Sequence, residues 1–344
     1  MSTSGTSSLP KTPVRKSVSG LIPELEHVEI NNARLKEEAE KLATDEFALP
    51  EWRAPVFPDE TAAGVTAGDV IDFLFIGNTI NFQFRHYDSG GKFVAEYAGA
   101  DWEGAFGMWA CLKRRFDDDK DILRGEKLAG LSIKDVKTLF ESADGTQIPM
   151  LDERHQILKS AGHTLEKYYN GQFRNLVESA DSRLYSNGDG IVDKLISDFE
   201  SFRDSNIVRL SGGASYEVNF WKRAQLAPGM AYGRFHGTES FRIADPKAFT
   251  VFVDYNLPNI LRGIGVIEYS SHLADLVDRR QMLEPGSREE VEIRAATVYA
   301  TDELIELINN KRTTPIYAPH MDYKLFNMRD KVSTPVHLTR TTAY

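Results

Sequence analysis

Cysteine is almost missing from this chain of 344 residues. Cys111 stands alone, so no intramolecular disulfide can form and no cysteine-based zinc or iron–sulfur site can assemble. A reducing compartment, the cytoplasm, is the expectation. Long apolar runs are missing too, since nothing approaches the roughly 18–20 consecutive apolar residues of a membrane-spanning helix. Basic charge is in deficit: 41 Lys and Arg stand against 51 Asp and Glu, for a net charge of -10. A protein that binds by neutralising a phosphate backbone is normally basic. Long DNA or RNA is therefore excluded as the main ligand, and a local basic pocket for one nucleotide stays open.

Several chemical signatures are absent as well. No Gly-x-Gly-x-x-Gly follows a strand and no phosphate loop ends in Gly-Lys-Ser/Thr, which disfavours dinucleotide and P-loop chemistry. No His-Glu-x-x-His occurs, and His155 and His163, eight residues apart, point about 80° apart on a helix. No Gly-x-Ser-x-Gly elbow occurs either. Neither a metal nor a cofactor is expected.

What is present reads as a folded protein, with 41% hydrophobic and 27% charged residues. Residues 1–20 hold 13 Ser, Thr, Gly or Pro and no acid, with Lys11, Arg15 and Lys16 basic. Residues 1–25 are expected to be a flexible tail, with mitochondrial targeting the minority alternative. Residues 26–344 are expected to form one domain, a monomer. Leu35, Ala39 and Leu42 predict a surface helix. Phe73, Phe75, Ile80, Phe82 and Phe84 predict strands turning at Gly77-Asn78, and residues 93–97 predict another. Leu151, His155, Leu158, Ala161 and Leu165 give a helical stripe. Asp245-Pro246 predicts a helix start, to be broken or bent at Leu257-Pro258. Ser287 with Glu290 predicts a helix running to about Asn309. The fold class is mainly α with a small β element.

Three places hold charge among apolar residues. In the first, Phe220-Trp221-Lys222-Arg223, the cations either reach water along their stems or Lys222 sits desolvated and meets an anion. In the second, Asp254 follows the apolar run Phe249-Thr250-Val251-Phe252-Val253. It is either a functional acid at the unfavourable end of a helix or a cap for the next one. The third is Asp322, a cap or a site residue between Met321 and Tyr323. Phe82, Phe84, Trp102, Phe106 and Trp109 are mostly core, with one or two possible stacking platforms for a planar base.

These segments, taken in order, resemble the queuosine salvage proteins, the queuosine 5'-phosphate N-glycosylase/hydrolase family. The matching pieces are residues 78–84 (Asn-Thr-Ile-Asn-Phe-Gln-Phe), 149–158, Trp221-Lys222-Arg223-Ala224-Gln225, and residues 252–258 (Phe-Val-Asp-Tyr-Asn-Leu-Pro). Glu290-Val291-Glu292-Ile293-Arg294, Met321-Asp322-Tyr323 and the closing set Pro335, His337, Arg340 and Tyr344 complete them. The resemblance covers about residues 60–344. Asn78 stands where relatives can carry Asp, and Trp102 and Phe106 where relatives can carry Tyr and Trp.

The resemblance implies a fold similar to helix-hairpin-helix DNA glycosylases, with Gly263-Ile264-Gly265 a trace of the hairpin. It implies hydrolysis of queuosine 5'-monophosphate to queuine and ribose 5-phosphate, which salvages the base for tRNA. Asp254 falls at the family's catalytic acid. Lys222 is assigned either to the leaving base or to the phosphate, and Asp322 to the cationic secondary amine of the substrate side chain. Asn81, Phe82 and Trp102 are assigned to the base, Arg340 and Tyr344 to the phosphate, and Arg223 and Tyr255 to the substrate pocket. The alternative is a carrier or regulator that binds queuine or its nucleotide without turnover. A DNA base-excision enzyme is disfavoured by the net charge.

Overall fold

The computed structural model describes residues 9–87 and 90–344. It is mainly helical, with short two-stranded pairings. Among the described residues no helix is long and apolar enough to cross a membrane. The expectation was one domain from residue 26; contacts group the chain into two compact units, each made of separate segments.

The first unit comprises Met1–Pro50, Asp204–Gln225 and Asp245–Arg340. Its axis is the helix Arg288–Asn309, which Ser287 opens by accepting the Glu290 amide, as expected. Val291, Ile293, Ala295, Ala296, Val298, Leu304, Ile305 and Ile308 are all buried, so this helix is apolar on most of its circumference and must be surrounded. The helices Pro13–Leu21, Asn32–Leu42, Asn256–Gly263 and Ala318–Phe326 pack on it. Val28–Ile30 pairs antiparallel with Ile267–Tyr269, and Ser205–Arg209 forms a hairpin with Ser215–Asn219. Met282–Leu283 runs parallel to Leu338–Thr339.

Residues 13–25 are not the flexible tail that composition suggests; residues 1–8 of that expected tail lie outside the described residues. Thr12 caps a helix with Pro13 in its first turn, and Val14, Val18 and Leu21 are buried. The Ser and Thr content hid three apolar residues spaced four and three apart.

The second unit comprises Glu51–Arg203, Leu226–Ala244 and Thr341–Tyr344. Of the stretch read as strands, Phe73 and Phe75 lie in the helix Ala67–Thr79, and Ile80, Phe82 and Phe84 follow it without regular strand structure. Thr66 and Asp69 form a reciprocal capping box at the helix start, and residues 70–79 are all buried. A helix buried all round has no polar face, so its apolar residues mimic the alternation of strands. Gly77 is no turn. It lies in the last turn of the helix against Trp109, where an added Cβ would come within 1.9 Å of the indole. The strand Val94–Tyr97 and the helix Leu151–Tyr168 agree with expectation, and Ala100–Glu103, which was not expected, pairs with that strand as a hairpin.

Gly77→Ala tests this close packing. Trp109 is 2% exposed and has little room to yield. The substitution should cost about 1–3 kcal/mol by overpacking, read as a lower midpoint in urea.

Candidate functional site

Asp204 and Arg294 organise the first unit. Both side chains are almost fully buried, and Arg294 grips Asp204 with two parallel hydrogen bonds, Nη1 to Oδ1 at 2.9 Å and Nη2 to Oδ2 at 2.6 Å. The guanidinium also lies 4.0 Å from the centroid of Phe220. A planar fork with an apolar face suits this place better than an ammonium would.

The same Asp204 builds the start of the next helix. Its carbonyl oxygen accepts the amides of Phe220 and Trp221, and its Oδ2 accepts the amide of Lys222 at 3.1 Å. Trp221 is thereby held at φ 50°, a left-handed conformation that costs a bulky residue about 1–3 kcal/mol. Its indole N–H donates to Ser205 at 3.1 Å. This turn takes the chain from strand Ser215–Asn219 into helix Lys222–Arg234, with Lys222 at its first position.

Lys222 is 6% exposed. Burial pushes its ammonium pKa down, with Arg223 and Arg294 acting in the same direction, while the carboxylates of Asp254 and Asp322 oppose the shift. The desolvated reading of Lys222 is the one observed. Arg223 is buried as well and is pushed down to about 10, with Asp204 opposing.

The segment carrying Asp254 is not a helix. Pro246–Ala248 makes one short 3-10 turn, and residues 249–253 continue without regular structure. Side chains satisfy two amides of this run, and the Val253 amide donates to the Val251 carbonyl at 3.0 Å in a tight turn. Gln225 accepts the Thr250 amide through Oε1 at 2.9 Å and donates through Nε2 to the Thr250 hydroxyl at 2.9 Å. Asp322 accepts the Phe252 amide at 2.7 Å. Asp254 therefore does not sit at a helix C-terminus. It lies just before the helix Asn256–Gly263, accepting the Asn256 amide at 2.6 Å and the Asn256 side-chain amide at 3.1 Å. The reading as a brace for the next helix start is the one observed, and the carboxylate also acts electrostatically on Lys222.

Asp322 comes from the helix Ala318–Phe326. Burial pushes its carboxyl up to about 7; the Phe252 amide and Lys222 lower it and Asp254 raises it. His337 is pushed down to about 3 by burial, with Arg294 adding to the effect. Its imidazole is neutral at working pH. Tyr255 is half-buried beside Asp254, and Arg340 is exposed.

Lys222, Arg223, Asp254, Tyr255, Asp322 and Arg340 thus belong to one unit. Asn81, Phe82, Trp102 and Tyr344 belong to the other. There Asn81 donates to Asn78 at 3.0 Å, and Gln83 donates its amide to the Tyr344 carbonyl at 3.2 Å. Phe82 is fully buried beneath Arg154, whose guanidinium lies 4.4 Å from the ring centroid. Arg154 also donates to the carbonyls of Ile80, Phe82 and Gln83. Trp102 is half-buried, donates to the Tyr97 carbonyl at 3.2 Å and stacks on Phe106. Among the described residues no group of three or more His, Cys, Asp or Glu is placed to hold a metal ion.

The sequence analysis missed Asp204, Arg294, Gln225 and Arg154 as organisers. Arg294 carried a signal, since Glu290 and Arg294 lie four apart inside an apolar helix and buried charges need partners. Asp204, in a connecting loop, carried none.

The model of the queuosine salvage protein family matches residues 63–344. The chain belongs to this family. The queuosine 5'-phosphate N-glycosylase/hydrolase of Sphaerobacter thermophilus is 29% identical over 327 residues, 94% of this chain and 95% of that protein. Those of Bos taurus and Dictyostelium discoideum are each 26% identical, over 321 and 356 residues. They cover 88% and 97% of this chain, and 89% and 99% of their own lengths. Asp254, Lys222 and Asp322 all fall inside the span that the family model matches.

Removing the Asp204 carboxylate leaves Arg294 buried without its fork and the Lys222 amide without its acceptor. Asp204→Ala should cost about 3–5 kcal/mol, as for other broken buried pairs. Thermal and urea unfolding would measure it, and a double-mutant cycle with Arg294→Met should show strong coupling.

Proposed function

We propose that this protein hydrolyses the N-glycosidic bond of queuosine 5'-monophosphate, releasing queuine and ribose 5-phosphate for salvage. The observation that carries the reading is the buried ammonium of Lys222 within electrostatic reach of the carboxylates of Asp254 and Asp322. It is joined by membership of a family whose relatives bear that enzyme's name.

The chemistry follows from charge. Breaking the bond between the anomeric carbon and the base leaves positive charge on the sugar, and a fixed carboxylate stabilises it. Asp254 is assigned this role. Its two hydrogen bonds take one lone pair on each oxygen, which orients the group and leaves further acceptor capacity for the sugar or a water. The departing base is a 7-deazaguanine with no N7 lone pair to protonate, so it needs donors elsewhere. Lys222 is assigned as the cation that meets the negative charge of the base or phosphate. Asp322, once ionised, gives the trio a net negative charge that matches the secondary amine of the substrate.

Arg223 and Tyr255 are assigned to the same pocket. Asn81, Phe82, Trp102, Arg340 and Tyr344 remain proposed contacts of base and phosphate. The likeness to helix-hairpin-helix DNA glycosylases is part of the proposal. Its support is limited to helix Asn256–Gly263 and the turn with Gly265 at φ +78°, after which strand Ile267–Tyr269 precedes helix Ser271–Asp278.

Incubation with queuosine 5'-monophosphate and detection of free queuine by mass spectrometry tests the activity. Asp254→Asn should lower kcat by at least about 10²-fold, the scale of a lost electrostatic stabiliser. Full turnover by that variant would remove Asp254 from the mechanism, and tight binding without turnover by the native protein would favour a carrier.

Asp322 sets a second test. Its carboxyl is raised to about 7, so it is largely neutral below that pH and ionised above it. Pairing with the substrate amine needs the ionised form. kcat/KM should therefore rise with pH through about 7, and Asp322→Asn should abolish that limb.

A further inference from the structure

The family model begins at residue 63, yet a helix well before it reaches the segment that carries Asp254. Arg15 lies on the buried face of helix Pro13–Leu21, with its side chain 8% exposed. Its Nε and Nη2 grip the Asp302 carboxylate at 2.8 and 3.0 Å. Its Nη1 donates to the carbonyls of Pro10 at 3.3 Å and Lys247 at 2.8 Å. Its Nη2 also donates to the carbonyl of Phe249 at 2.5 Å. All five N–H groups of the guanidinium thus have acceptors. Two of those acceptors lie on the chain that leads into Asp254.

The same helix touches the other arm of the site. The hydroxyl of Ser17 accepts the Asn219 amide at 3.0 Å, and Asn219 ends the strand that turns into Lys222. Within residues 249–254, Gln225 and Asp322 satisfy the amides of Thr250 and Phe252, and Arg15 holds the carbonyl of Phe249. A segment without regular secondary structure keeps its course through such side-chain bonds. Burial pushes the Asp302 carboxyl up, and Arg15 is the group that opposes the shift.

We propose that Arg15 is a positioning residue for the hydrolytic site, fixing the path of residues 249–254 so that Asp254 faces Lys222 and the Phe252 amide meets Asp322. The assignment rests on the glycosidase reading for its catalytic consequence, and on geometry alone for the clamp. Lysine cannot substitute, because one ammonium does not span a carboxylate and two separate carbonyls.

The test compares Arg15→Lys with Val18→Ala. Val18 is buried in the same helix, so its truncation loosens the helix without touching Lys247 or Phe249. Hydrogen exchange, kcat, KM and the pH profile are measured on the full chain. In Arg15→Lys the amides of Thr250 and Phe252 should exchange at least about tenfold faster, and kcat should fall at least about tenfold with a smaller change in KM. The limb near pH 7 should move toward the ordinary carboxylate range as Asp322 gains water. Val18→Ala should lower thermal stability while leaving that exchange and that limb in place. Native exchange and kcat in Arg15→Lys would overturn the assignment, as would the same changes in Val18→Ala. If the native chain released no queuine, the glycosidase reading would fall and the exchange comparison would still decide the clamp.

Discussion

The buried pair of Asp204 and Arg294 is the interaction on which the first unit turns. One carboxylate accepts the guanidinium fork and the first amide of the Lys222 helix, and the carbonyl of the same residue accepts two more amides. Phe220 lies under the guanidinium and Trp221 is held left-handed beside it. Such a pair gains little net stability over apolar packing, because dehydrating both ions offsets most of their attraction. Its value is directional. It sets where a helix begins, and so where a lysine at the first helical position must point.

Lys222 and its two acids form an electrostatic unit, which burial makes strong. In bulk water an ammonium and a carboxylate 4 Å apart attract by only about 1 kcal/mol, and the figure rises several-fold near a protein interior. The same loss of water holds the carboxyl of Asp322 near neutrality. A site with one buried cation and two acids can stabilise positive charge on a sugar and recognise an amine. The irregular run of residues 249–254 brings this about, since a helix there would have turned Asp254 elsewhere.

The departures from expectation share a cause. Helix Ala67–Thr79 looks like strands because it is buried on every side, and total burial erases the 3.6-residue period that marks a helix. The helix expected from Asp245 stops after one turn because Gln225, Asp322 and Arg15 offer backbone partners that local sequence does not reveal. Helix Pro13–Leu21 hides within a Ser- and Thr-rich segment because three apolar residues and one arginine suffice to dock it. The helices opened by Asn31 and by Ser287 were legible, because their caps and periodicity are local properties.

The sequence alone determined the helical character, the exclusion of an intramolecular disulfide, and the family, because the ordered set of short motifs is specific where each is weak. It also singled out Lys222, Asp254 and Asp322, since a charge among apolar neighbours needs a reason. Tertiary structure decided that these three act on one another electrostatically, that Asp204 and Arg294 hold the turn before Lys222, and that burial raises the Asp322 carboxyl to about 7. Those outcomes depend on groups between 70 and 90 residues apart in the chain meeting in a dehydrated place. Hydrogen bonds and desolvation act through space, and local sequence carries no record of distant partners.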